Sequence, residues 1–187
     1  MNFVRLAAAG ILLAAFSGAV RAQRASGDVD GEVIYGDDDR LDLYQIKIPK
    51  LLELADSTVG LFEGGGVSVD PANPKTARLS TFDYGERYQL CADEPFREQR
   101  SGAFCSGSLV GPDLLMTAGH CVPSADACKG IKFVFGFGIK KQGVMPESVD
   151  ASEVYGCGSL IRREQVDSGA DYALVRLDRK VTGHKPL

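Results

Sequence analysis

Cationic excess is missing from this sequence. Its 187 residues carry 21 lysines and arginines against 25 acids, a formal net charge of −4, which excludes a general nucleic-acid binder: such a protein needs a basic surface to meet phosphates. No apolar run reaches the roughly 20 residues that span a bilayer. There is no Cys-x-x-Cys pair, so the commonest zinc-site spacing is lacking. No long stretch keeps a helical period, and there is no internal repeat. Histidine is scarce: His120 and His184 are the whole supply. Cysteine is present in an odd number, five, so at least one has no partner for a disulfide within the chain.

The N-terminus explains where those cysteines work. Met1 to Arg5 form a short basic start, Leu6 to Val20 an apolar run, and Val20-Arg21-Ala22 offers the small residues a signal peptidase needs before Gln23. Residues 1–22 are therefore expected to be a cleaved secretory signal, leaving no membrane association, and the 15-residue run is too short for a retained anchor. Removing them takes away Arg5 and Arg21 and no acid, so the net charge becomes −6. A chain exported to the medium or periplasm meets an oxidising environment, and its cysteines read first as disulfides.

Residues 23–56 are polar and acidic. Asp37-Asp38-Asp39 reads as a solvated turn, since it lacks the spaced ligands and glycine of a calcium loop. Beyond it, short strand-like runs alternate with turns. Ser57–Glu63 is the first, ending at three glycines, and the stretch to Lys75, with Pro71 and Pro74, reads as a loop. Ala103–Val110 and Leu114–Thr117 flank the turn Gly111-Pro112-Asp113. Ile131–Gly138 puts Phe133, Phe135 and Phe137 on one face, and Tyr172–Leu177 puts Ala173, Val175 and Leu177 on one face. Ser152–Ile161 is a weaker run. Such spacing predicts an all-β barrel or sandwich.

The chemistry gathers at Cys105–Val122, CSGSLVGPDLLMTAGHCV. Two strand-like runs meet at a tight turn, with a cysteine near each outer end. A bridge across their 16-residue separation stabilises by about 3 kcal/mol in the chain-entropy model, and it clamps the neighbouring His120. A fixed imidazole with small Ala118 and Gly119 before it suits a general base. On spacing alone, a surface histidine beside a structural cysteine fits as well.

This segment closely resembles the histidine block of the trypsin-like serine proteases, with Thr117-Ala118-Gly119-His120-Cys121 as its core. The resemblance implies that His120 is the general base and that Cys105 bridges Cys121. Gly169-Ala170-Asp171-Tyr172-Ala173-Leu174-Val175-Arg176-Leu177 resembles the family's aspartate block, implying that Asp171 is the buried carboxylate that orients His120. Both blocks belong to the first of the family's two β-barrels, so the implied fold is a trypsin-like antiparallel β-barrel, with the second barrel largely absent from these residues. Val33-Ile34-Tyr35-Gly36-Asp37-Asp38-Asp39-Arg40 is similar to the start of the mature enzyme in the bacterial glutamyl-endopeptidase-like branch. The implied organisation is a signal at 1–22, a propeptide-like N-terminal segment at 23–56, the barrel at 57–180, and the start of an inter-barrel linker at 181–187, where His184 is a linker residue.

One part of the family mechanism has no match. A serine on a glycine-rich turn should follow the aspartate, and none of the residues after Asp171 is serine. Ser168 sits three positions before Asp171, where it cannot also face His120. Of the other cysteines, Cys91 and Cys128 bracket the histidine block and could pair, leaving Cys157; a rival assignment leaves Cys91 or Cys128 single. A zinc site built from His120, Cys121 and Cys128 is disfavoured by spacing and by export, so no cofactor or metal is expected.

The resemblance implies a secreted serine endopeptidase acting on proteins or peptides, with the missing second barrel packing on the first. The alternative is a catalytically inactive homologue serving as a secreted binding module. A third, distant option is an unrelated disulfide-rich structural domain.

Overall fold

The run Thr58–Glu63 (β1) alternates side chains so that Val59 and Leu61 point inward, almost wholly shielded from water. Five further antiparallel strands share that core. They are β6 (Cys105–Gly111), β7 (Leu114–Thr117), β8 (Ile131–Phe135), β10 (Val154–Gln165) and β11 (Asp171–Leu177), and with β1 they close a barrel in the order β1-β6-β7-β11-β10-β8. Closure leaves the ladder no free edge. This computed structural model describes residues 38–187. The expected signal at 1–22, the propeptide stretch at 23–32 and Val33 to Asp37 lie outside the described residues.

The barrel core is built from residues of alternating strands: Leu109, Leu115, Phe133, Phe135, Ala173, Val175 and Leu177 are all buried. At roughly 1.5–3 kcal/mol for each large side chain removed from water, this cluster is the main source of stability. The inward face expected for Ala173, Val175 and Leu177 is the one observed.

The second face of β8 departs from the alternation. Val134 is buried too, together with Phe62 and Leu79. The cover comes from a small outer sheet of β2 (Val67–Asp70), β3 (Asn73–Leu79) and β9 (Ser148–Asp150), in the order β2-β3-β9. These strands replace the loop expected between the three glycines and Lys75. Pro71 lies in the turn between β2 and β3, and Pro74 at the start of β3, where a missing N–H costs least. Phe137 does not share the core face of Phe133 and Phe135. The strand ends at Phe135, Gly136 takes a φ of +72°, and Phe137 packs edge-on against Phe62, with ring centroids 5.1 Å apart.

A two-stranded ribbon, β4 (Phe82–Asp83) with β5 (Arg100–Ser101), completes the strands. Three short helices interrupt them: α1 (Pro49–Asp56), α2 (Tyr84–Tyr88) and α3 (Ala125–Lys129). The polar, acidic segment 23–56 gave no helical signal, yet it contains α1. Proline at its first turn and a run of good helix formers favour it, but two turns are too short for a 3.6-residue period to stand out in the sequence. None of its residues is buried. No helix among the described residues is long and apolar enough to cross a membrane.

The disulfides join Cys105 to Cys121 and Cys128 to Cys157, and Cys91 is free and exposed. Cys91 and Cys128 are therefore not partners, although they flank the histidine block in sequence. β10 pairs with β8, which follows α3, so Cys157 on β10 comes beside Cys128 on α3. Closing that loop stabilises by about 3–4 kcal/mol in the chain-entropy model.

The segment after β11 folds back on the barrel. Val181 N–H donates to the Pro112 carbonyl, Leu187 N–H to that of Leu109, and the Ser57 hydroxyl to that of Lys185. His184, expected as a linker residue, is 8% exposed. It stacks on Phe135 at 4.2 Å, with Nε2 2.6 Å from Glu153 Oε2. Nδ1 lies 3.0 Å from Asp56 Oδ2, at an angle that makes it an ion-pair contact and not a second hydrogen bond. Burial disfavours the charged ring, but the Glu153 hydrogen bond and the Asp56 carboxylate outweigh it and raise the pKa above the ordinary 6.5. A raised histidine pKa contributes stability that is complete below 6.5 and disappears as pH rises through the folded value. Thermal melts across that range are expected to lose stability on the alkaline side in the native chain but not in His184→Gln. An equal alkaline loss in the variant would place the effect elsewhere.

Candidate active site

β7 ends at Thr117, whose buried hydroxyl donates to the Ser106 carbonyl at 2.6 Å and ties the strand end to β6. The chain then winds through one tight turn, with Cys121 N–H donating to the Ala118 carbonyl and Val122 N–H to that of Gly119. The Cys105–Cys121 bridge fixes the far end of the turn to the start of β6. His120 is held between these anchors, and its ring projects at the barrel rim.

β11 runs antiparallel to β7, with Ala173 opposite Thr117. The first residue of β11, Asp171, therefore arrives beside the turn. Its Oδ2 lies 2.6 Å from His120 Nδ1, and its Oδ1 accepts the His120 backbone N–H at 2.9 Å. The fold thus brings together two residues 51 positions apart. One carboxylate holds both the ring and the backbone of the same histidine, which fixes the ring plane and favours the tautomer protonated at Nδ1.

The His120 hydrogen bond, opposed by desolvation and aided by the His120 and Gly119 backbone N–H groups, lowers the Asp171 pKa below the ordinary 3.8. A depressed carboxylate stabilises the fold above that value and ceases to do so as pH falls through the folded pKa. Asp171 is not the buried carboxylate expected: its side chain is 37% exposed, and that of His120 57%. Asp171 opens its strand at the rim of the barrel.

Ser168 lies in the turn of the β10–β11 hairpin, closed by Gly169 N–H to the Val166 carbonyl, and it is exposed. The contact on His120 Nε2 is the Cys105 sulfur at 4.0 Å. His120, Cys105 and Cys121 lie close enough to suggest a metal cluster, but the bridge uses both sulfurs and leaves no thiolate to ligate. An apolar groove of about 800 Å³, lined by Leu43, Leu52, Val59, Ala103 and Phe137, includes neither His120 nor Asp171.

Two further residues support the turn: Arg163 had no visible signal in the sequence, whereas Gly119 was visible there as a small residue beside His120. Arg163 on β10 donates through Nε to the Gly119 carbonyl at 2.8 Å. Gly119 must be small: a Cβ there would lie 2.4 Å from the Glu164 carbonyl oxygen and 2.9 Å from Asp171 Oδ1.

The closed antiparallel barrel, with a histidine and an aspartate paired at its rim, has the architecture of a trypsin-like β-barrel. Residues 94–186 match the profile of the family described as Trypsin. The chain is similar to human chymotrypsin-like elastase family member 3B, 30% identical over 112 residues that cover 58% of this chain and 41% of the relative. It is also similar to human chymotrypsin-like elastase family member 3A, 30% identical over 84 residues, 43% of this chain and 31% of that one. The matched stretch spans less than half the length of either relative. These likenesses support a serine-protease-like function. β1 precedes the family match and joins it through its ladders to β6 and β8.

The tight fit at Gly119 predicts that Gly119→Ala destabilises the fold by roughly 1–3 kcal/mol, the usual cost of overpacking. Denaturant unfolding measures it, and a variant as stable as the native chain would show that the turn has room.

Proposed function

We propose that this chain supplies the general base and the orienting acid of a secreted serine endopeptidase. The observation that carries the reading is the double hold of Asp171 on His120, at 2.6 Å to the ring and 2.9 Å to the backbone. In the working enzyme, His120 Nε2 takes the serine proton as the oxygen attacks the peptide carbonyl and then passes it to the leaving amine. Asp171 stays ionised and stabilises the imidazolium. The substrates are proteins or peptides. The serine, the oxyanion-stabilising N–H groups and the specificity pocket come from outside these 187 residues, in a second barrel that packs on this one.

The proposed organisation is a signal at 1–22, a propeptide-like and N-terminal segment at 23–56, the catalytic barrel at 57–180 and the inter-barrel connection from 181. Similarity at Val33 to Arg40 supports a bacterial glutamyl-endopeptidase-like branch with a mature start at Val33. N-terminal sequencing of the exported protein is expected to read Val33, and a product beginning at Gln23 would remove the propeptide.

The second reading is an inactive homologue acting as a secreted binding module. The lack of a serine after Asp171 among these residues favours it. Fluorophosphonate labelling separates the two. Residues 1–187 alone are expected to remain unlabelled. A product that extends in frame through a Gly-x-Ser-Gly block is expected to label, and His120→Ala is expected to abolish that labelling. An intact gene without such a block, or an extended product that does not label, would favour the binding module. Labelling of the 187-residue chain itself would reveal a nucleophile among these residues.

A further inference from the structure

The peptide unit joining Gly119 to His120 is gripped on both sides. Its N–H donates to Asp171 Oδ1 at 2.9 Å, and its carbonyl accepts Arg163 Nε at 2.8 Å. A charged donor on the carbonyl polarises the amide and strengthens the N–H as a donor, because linked hydrogen bonds reinforce one another. We propose that Arg163 is a positioning residue for the general base, acting through this one peptide to set the grip of Asp171 on His120. The proposal rests on the reading of His120 and Asp171 as the reactive pair and extends it to a residue on a third strand.

The placement of Arg163 is built in. β10 and β11 pair so that Gln165 lies opposite Asp171 and Arg163 opposite Ala173. The Gln165 side-chain oxygen accepts the other arm of the guanidinium, so the arginine is held at the same end of the ladder as the carboxylate it serves. Behind the turn, the Glu164 carbonyl oxygen lies so near Gly119 that the turn cannot shift closer to β10. Gln165, Arg163, the 119–120 peptide, the Asp171 carboxylate and the β10–β11 ladder thus form one closed loop of contacts. A rotation of the peptide plane breaks the bonds on both of its faces together. Nε donates to the carbonyl while a second nitrogen bonds Gln165, a geometry that the planar guanidinium provides and a lysine ammonium reproduces only as a single point donor.

The test compares Arg163→Met, which keeps an apolar stem without donor or charge, with Arg163→Lys, which keeps a charged donor. It reads the amide exchange of His120 and the carboxyl ¹³C titration of Asp171. The ring titration of His184, on the opposite support of the fold, serves as internal control. In Arg163→Met the His120 amide is expected to exchange about tenfold faster or more. The Asp171 midpoint should move up toward the ordinary carboxylate value while the His184 titration holds. Arg163→Lys is expected to recover most of both changes. Arg163→Gln takes the place of Arg163→Met if that variant does not fold. An unchanged His120 amide and Asp171 midpoint overturn the proposal, as does an equal disturbance of His184, which marks general loosening. These readouts need no nucleophile. A failure of the extended product to label with fluorophosphonate would count against the protease reading while leaving the clamp on His120 measurable by itself.

Discussion

One carboxylate bonded to the backbone and the ring of one histidine is the constraint on which the rest of this site depends. A ring hydrogen bond alone would let the imidazole swing with its own backbone. A backbone bond alone would leave the ring free to rotate. Asp171 makes both, so the position of His120 relative to β11 is set to within a hydrogen-bond length. The remaining local features can be ordered by how they protect that arrangement. The Cys105–Cys121 bridge fixes the turn from one end and the Thr117 hydroxyl from the other. The missing side chain at Gly119 lets the turn press against β10.

The barrel supplies placement more than burial. Closure in the order β1-β6-β7-β11-β10-β8 makes β7 and β11 neighbours, although the intervening sequence includes α3, β8 and the whole of β10. That adjacency is what brings Asp171 to His120. The pair remains at the rim, partly open to solvent, and exposed charges are screened. Its strength in this state comes from geometry. A covering surface at the rim would exclude water and raise the strength of the same hydrogen bonds through a lower local dielectric. The reading of a second barrel packing here is consistent with that need.

Much of this was legible in the sequence, and the failures have physical causes. Alternation identified the inward face of β11, because that strand has one face on the core and one toward solvent. It failed at β8, where a second sheet buries the outer face and removes the contrast on which alternation depends. It failed at β2 and β3, where glycine and proline nearby suggested a loop. The His120 and Asp171 blocks were recognisable as motifs, but no sequence pattern gives the exposure of Asp171, since that depends on what lies above the barrel rim. Arg163 left no signal because its role comes from a contact made across strands, whereas Gly119 was visible as a small residue of the histidine block. The pairing of Cys128 with Cys157 follows from the β8–β10 ladder, whereas the sequence left open both a Cys91–Cys128 bridge and the observed rival with Cys91 single.

The claim that His120 and Asp171 act as a unit is tested most directly by ¹⁵N–¹H correlation of the His120 ring in labelled protein. The account predicts a neutral ring carrying its proton on Nδ1, with a downfield proton resonance that disappears in Asp171→Ala. A neutral ring protonated on Nε2, or a resonance that survives the loss of the carboxylate, would contradict it.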